Sequence, residues 1–221
     1  PVQEANWEIQ SEVWFFGLYH TFDYLRFIIC IGGRTVVWCG SDLLNLRKGV
    51  WRYILPHIKA KHICENFVEW KVLKSFGINA TVKPLMFDDP SKFQVCFKSS
   101  KDPHVYLSAH PGYEEEYGVN LIKEIALKMP EVAFHVYGIG NGLYWETDNF
   151  VYHGVVPTEQ FDREIRNFQA GLRLNEFDGF GEILAKSVLM GQYPISRIKY
   201  PHIDHAKDTK TLIKLLKNLK N

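Results

Sequence analysis

Residues 169–196, QAGLRLNEFDGFGEILAKSVLMGQYPIS, hold the side chains of this chain whose types and spacing can do chemistry. An apolar run containing Arg173, residues 171–174, leads into an acidic turn punctuated by glycine, Glu176-Phe177-Asp178-Gly179-Phe180-Gly181, and an amphipathic stretch follows it. Paired glycines let backbone come close to a ligand, and the unpaired N–H groups and dipole at a helix start favour an anion such as a diphosphate. A carboxylate in that turn, Asp178, can stabilise positive charge as it develops at a reacting carbon; as a plain turn residue it only shapes the glycine bend. A second glycine loop, Gly138-Ile139-Gly140-Asn141-Gly142, leaves a strand pattern and offers Gly138, Gly140 and Asn141 to a phosphate, without a complete GxGxxG.

The elements that must position these groups follow from periodicity. Residues 171–174 read as a strand and 182–190 as a helix with Ile183, Leu184 and Val188 facing a core. Gly191 is its left-handed stop and 193–196 the next strand. The acidic turn therefore lies at the carboxyl end of a strand in a βαβ unit, the edge where open α/β sheets bind ligands. Upstream, after a polar lead-in over 1–10, strands are expected at 12–19, 34–39, 60–65 and 79–85. Helices are expected at 20–31, 43–58 (interrupted before Pro56) and 67–76, with Gly40-Ser41-Asp42 as a tight turn. Downstream, strands at 105–110, 132–137 and around 150–153 alternate with helices at 119–128 and 158–168, and an amphipathic helix spans 209–219. Such alternation predicts parallel sheets with right-handed crossovers. The rhythm breaks at 88–103, rich in proline, serine and charge, which places a boundary near 84–90 and two domains at 1–87 and 88–221.

A chain of 221 residues, 46% hydrophobic and 14% aromatic, has ample material for packed cores. The balance of 26 Lys+Arg against 25 Asp+Glu gives no strong nucleic-acid signal. The tail from Lys207 onward is locally basic and reads as a solvated helix face, with peripheral membrane contact left open. Cys30, Cys39, Cys64 and Cys96 form no Cys-x-x-Cys pair and read as reduced thiols, which points to a cytoplasmic protein. No run approaches the roughly 20 apolar residues of a membrane span. Nine histidines show no metal spacing, so neither a metal nor a cofactor is expected, and no nucleophile elbow or Walker loop is present. The sequence opens at Pro1 without Met, so an upstream piece is expected outside it.

The turn Asp178-Gly179-Phe180-Gly181, its helix and the exit Gly191-Gln192-Tyr193-Pro194-Ile195 resemble the nucleotide-sugar-binding signature of GT-B glycosyltransferases of family 4. The resemblance extends to Val105-Tyr106-Leu107-Ser108 with Tyr117-Gly118-Val119-Asn120, to Pro130 through Gly138, to Asn149 through Val156, and more weakly to Val37 through Asp42. It implies an α/β protein of GT-B fold, two Rossmann-like domains facing a cleft, with the N-terminal one reduced. The implied activity is retaining, metal-independent transfer of a sugar, hexosyl in type, from a nucleotide-sugar donor to an unknown acceptor. By the same resemblance Asp178 is catalytic, and Gly138, Gly140, Asn141, Val156, Arg173, Glu176, Gly179, Phe180, Gly181 and Lys186 bind the donor. Gly40, Ser41 and Asp42 lie on the acceptor side.

Two departures accompany the match. Lys186 stands where the family carries a second glutamate that accepts ribose hydroxyls, and a lysine can only donate. Tyr117, preceded by three glutamates, stands where the family carries a phosphate-binding lysine, and the family's arginine is missing too, leaving Arg173, Lys186, Arg47 or Lys48 as substitutes. The alternative to an enzyme is accordingly a non-catalytic sugar- or nucleotide-binding relative. A third reading, glycosylation of a nucleic-acid base, is disfavoured by the near-neutral charge.

Overall fold

The structure is a computed structural model and describes residues 12–86 and 88–219. The lead-in expected over 1–10 and Phe87, at the expected boundary, lie outside the described residues. The chain divides into two compact α/β units, one of residues 12–85 with Phe177–Phe180, the other of 86–176 with 181–219.

The first unit runs β1 (Glu12–Phe16), α1 (Thr21–Ile29), β2 (Gly33–Trp38), α2 (Ser41–Lys48), α3 (Trp51–Ile54), a 3-10 turn (Leu55–His57), β3 (Lys61–Cys64), α4 (Phe67–Ser75) and β4 (Thr81–Val82). Its strands form a parallel sheet in the order β1-β2-β3-β4. The β-branched and aromatic run of β2 makes it the buried centre, with Val36, Val37 and Trp38 wholly inaccessible. Phe27, Leu43, Leu46, Leu55 and Leu73 pack on it from the helices, each such burial stabilising by about 1.5–3 kcal/mol. Helix α2 begins at Ser41, so two residues expected in the turn are helical. The stretch expected as one helix over 43–58 breaks at Gly49 and again around Pro56.

The second unit runs β5 (His104–Ser108), α5 (Val119–Ala126), β6 (Ala133–Tyr137), β7 (Tyr144–Thr147), β8 (Phe150–Gly154), α6 (Thr158–Ile165), β9 (Ala170–Arg173), α7 (Glu182–Leu189), β10 (Tyr193–Ser196), β11 (Asp204–His205) and α8 (Thr209–Asn218). The sheet order is β11-β10-β9-β5-β6-β8-β7, parallel except for β7, an antiparallel edge strand. Strand β5 alternates its side chains between two cores. Val105 and Leu107 join Ile122, Phe134 and Leu216 on one face, while Tyr106 joins Ile165, Phe168 and Ile183 on the other. The Tyr106 hydroxyl is satisfied by Ser187 (2.8 Å) and Gln192 (2.9 Å). From β5 the chain first builds outward through β6 and β8, then returns to lay β9 and β10 on the opposite side. The strand order thus reverses between β5 and β9, a switch point at which the flanking loops diverge.

Among the described residues no helix is long and apolar enough to cross a membrane.

Candidate functional site

At the carboxyl ends of β5, β6, β8 and β9, all within the second unit, lies a pocket of about 410 Å³ open to solvent. Its walls are drawn from the last residues of three strands, Ser108, Tyr137 and Arg173, from Val155 and Val156 just past β8, and from Gly181 and Glu182 at the start of α7. Loops diverging at the switch point leave this hollow, and the first residues of the eight-residue helix α7 form part of its wall. Gly138, with φ of 85°, turns the chain away from β6 so closely over Ala109 that a Cβ would strike the Ala109 carbonyl.

Arg173 places a guanidinium in the wall of this pocket. Its guanidinium lies 4.7 Å from the centroid of the Tyr117 ring, and the His110 ring meets Tyr117 edge-on at 5.6 Å. Tyr117, which replaces the lysine of the resembled family, therefore backs an arginine arriving from β9. A Cβ on Gly181 would stand 2.9 Å from Arg173 Nε, so glycine there leaves the arginine its path along the helix start. Glu114 and Glu115 are occupied locally, accepting from Gly112 N and Asn120 Nδ2.

Lys186 also lines the pocket, yet only 2% of the residue is accessible. Its ammonium donates to Asp162 at 2.7 Å, faces Asp88 at 3.4 Å and Glu182 at 3.8 Å, and sits 5.4 and 5.5 Å from the rings of Phe93 and Phe161. Three carboxylates already neutralise it. Tyr137, another wall, stacks on His153 at 4.1 Å and donates its hydroxyl to Glu164.

In the first unit a different group gathers. Gly40, φ 88°, passes so near the acidic turn that a Cβ would lie 2.8 Å from Gly179 N and 3.1 Å from the Asp178 backbone. Asp42 is wholly buried and accepts N–H groups of Cys39, Leu43 and Leu18; burial raises its carboxyl to about 6 although those bonds pull the other way. Glu65 Oε2 accepts Phe180 N at 3.0 Å, and Glu69 Oε2 accepts Glu65 N at 2.7 Å. Burial pushes Glu65 to about 7 and Glu69 to about 9.

Of the residues singled out from the sequence, Gly138, Val156, Arg173, Gly181 and Lys186 come together in the pocket. Gly140 and Asn141 do not line it; Gly140 lies against Tyr144 and Tyr152. Glu176 is exposed and pairs with Arg197 at 2.9 Å. Asp178, Gly179 and Phe180 belong to the compact unit of Gly40, Ser41 and Asp42. Ser108, Tyr137 and Val155, at or just past a strand's carboxyl end, and Thr158 and Glu182, each opening a helix, were missed, although those positions are the signal that marks them. Among the described residues no three His, Cys, Asp or Glu side chains are placed to share a metal ion.

No protein-family model matches the sequence, and no curated protein matches it. Solved structures do. TarM superposes with a TM-score of 0.64 at 12% identity, over 95% of this chain and 48% of TarM. The pneumococcal O-GlcNAc transferase GtfA, in complex with UDP and GlcNAc, gives 0.51 at 12% identity, over 86% of this chain and 45% of GtfA. A Glycosylation Associate Protein complex from Streptococcus agalactiae gives 0.54 at 10% identity, over 96% of this chain and 49% of that one. The chain spans about half the length of the structures it matches. The likeness is one of fold: a mixed α/β chain with parallel sheets, similar to structures that include a glycosyltransferase.

Proposed function

We propose that this chain is a glycosyltransferase of GT-B organisation that moves a sugar from a nucleotide-sugar donor to an acceptor, with retention and without a metal. One observation carries the reading: at the switch point of the second unit, the glycine exit of β6, the start of α7 and the Arg173 guanidinium line a single pocket. A nucleoside diphosphate placed there meets helix N–H groups and one arginine, which together offset its charge. Asp178, next to that helix start in sequence, is the group we assign to the positive charge that builds at the anomeric carbon as the diphosphate leaves. Support comes from fold neighbours solved with UDP, a TarM variant from S. aureus and pneumococcal GtfA.

The second reading, a non-catalytic nucleotide- or sugar-binding relative, is favoured by Lys186, whose buried ammonium leaves no acceptor for ribose hydroxyls at that position. Calorimetric titration with UDP, followed by hydrolysis assays on a panel of nucleotide sugars, separates them. Binding with turnover supports the enzyme, binding without turnover the relative, and absence of binding defeats both.

A further inference from the structure

We propose that Asn66 is a positioning residue for Asp178, holding helix α4 with one end of its amide and the acidic turn with the other. The inference rests on the role assigned to Asp178 above. Asn66 is 1% exposed and stands between β3 and α4. Its Oδ1 accepts Val68 N at 2.9 Å and Glu69 N at 3.0 Å, capping the helix. Its Nδ2 donates to the backbone carbonyl of Asp178 at 2.6 Å, across 112 residues of sequence. Asparagine alone among the good N-cap residues carries an acceptor for the helix and an amide donor for something else.

The neighbouring contacts fix the rest of the turn. Glu65 Oε2 accepts Phe180 N, Asp178 Oδ1 accepts Gly179 N at 2.9 Å, and a Cβ on Gly179 would overlap Glu65 Oε2. Two successive peptide groups are therefore held, and the direction in which the Asp178 carboxylate leaves the backbone is set with the help of residues at the carboxyl end of β3. A carboxylate serving charge at one reacting carbon needs that constraint, since a misplacement of about 1 Å costs on the order of a hundredfold in rate.

Asn66→Asp isolates the role, because aspartate caps as well as asparagine but presents a carboxylate to the Asp178 carbonyl. In Asn66→Asp, hydrogen exchange over 177–182 should quicken at least about tenfold while exchange over 67–75 stays unchanged. UDP affinity and the KM for UDP-GlcNAc hydrolysis should hold, kcat should fall about tenfold or more, and in an Asp178→Asn background Asn66→Asp should lower it no further. If Asn66→Asp does not fold, Asn66→Ser, which caps without reaching the turn, gives the same readout. Unchanged exchange over 177–182 overturns the proposal, as does quickened exchange with unchanged kcat. A wild-type protein that neither binds UDP nor hydrolyses the donor defeats the proposed function instead, and exchange alone then decides whether Asn66 holds the turn.

Discussion

The ammonium of Lys186 lies 2.7 Å from Oδ1 of Asp162, inside a cage that Asp88 and Glu182 complete. Replacing this lysine with the glutamate of the resembled family does not restore a ribose contact. It brings a fourth carboxylate into a buried cluster whose one cation has gone. Lys186→Glu should cost about 3–5 kcal/mol and lower the melting temperature by roughly 10 °C or more, whereas Asp162→Asn, which keeps a weaker acceptor, should cost less. Thermal and urea denaturation check the order.

Gly181 has φ of −60°, so a side chain there is no strain on its own backbone. The cost falls on Arg173. Gly181→Val should weaken UDP binding about tenfold by displacing the guanidinium, Arg173→Ala should do the same, and the double variant should lose little more than either. Additive losses in calorimetry would separate the two residues.

Asp178→Asn keeps an acceptor for Gly179 N, so the turn should survive. Turnover should drop about a hundredfold or more while UDP affinity stays nearly intact, because the role proposed for the carboxylate acts on charge present only in the transition state. A parallel loss of affinity and turnover would assign Asp178 to ground-state binding.

Burial raises the carboxyls of Asp42, Glu65 and Glu69 to about 6, 7 and 9. Each binds its proton more tightly folded than unfolded, so the stability is present below the ordinary carboxylate range and is lost as pH rises through those values. Between pH 7 and 9, above the range in which the buried His62 and His135, held neutral by burial, add stability with rising pH, the protein should become steadily less stable. Glu69→Gln, which still accepts Glu65 N, should flatten the slope and gain roughly 3 kcal/mol near pH 8. Urea midpoints measured across that range give the slope for both proteins.

Much of the fold was legible because its signals are local. The buried strand over Arg34 to Trp38, the helix after Gly181 and the amphipathic face of α8 are each written in spacing within a dozen residues. Strand β7, four residues on an edge with three of them exposed, is too short to register. At the site, glycines and Arg173 stood out by type, but Ser108, Tyr137 and Val155 converge only through strand order, which periodicity does not encode. Lys186 looked like a cation facing a ligand because its counter-charges, Asp88 and Asp162, are distant in sequence. Nothing in the sequence around Asn66 announces a partner 112 residues on.

The compact unit that opens the chain also needs Phe177–Phe180, more than ninety residues past Leu85. At about 5–20 residues per second, a ribosome reaches those four residues roughly ten seconds after it has finished the rest of the unit. During that interval Glu65 lacks the Phe180 N–H and Asn66 lacks the Asp178 carbonyl. A nascent chain stalled at Leu85 holds an incomplete fold, so a fragment cut there should be harder to recover as a stable product than its own helices and sheet suggest.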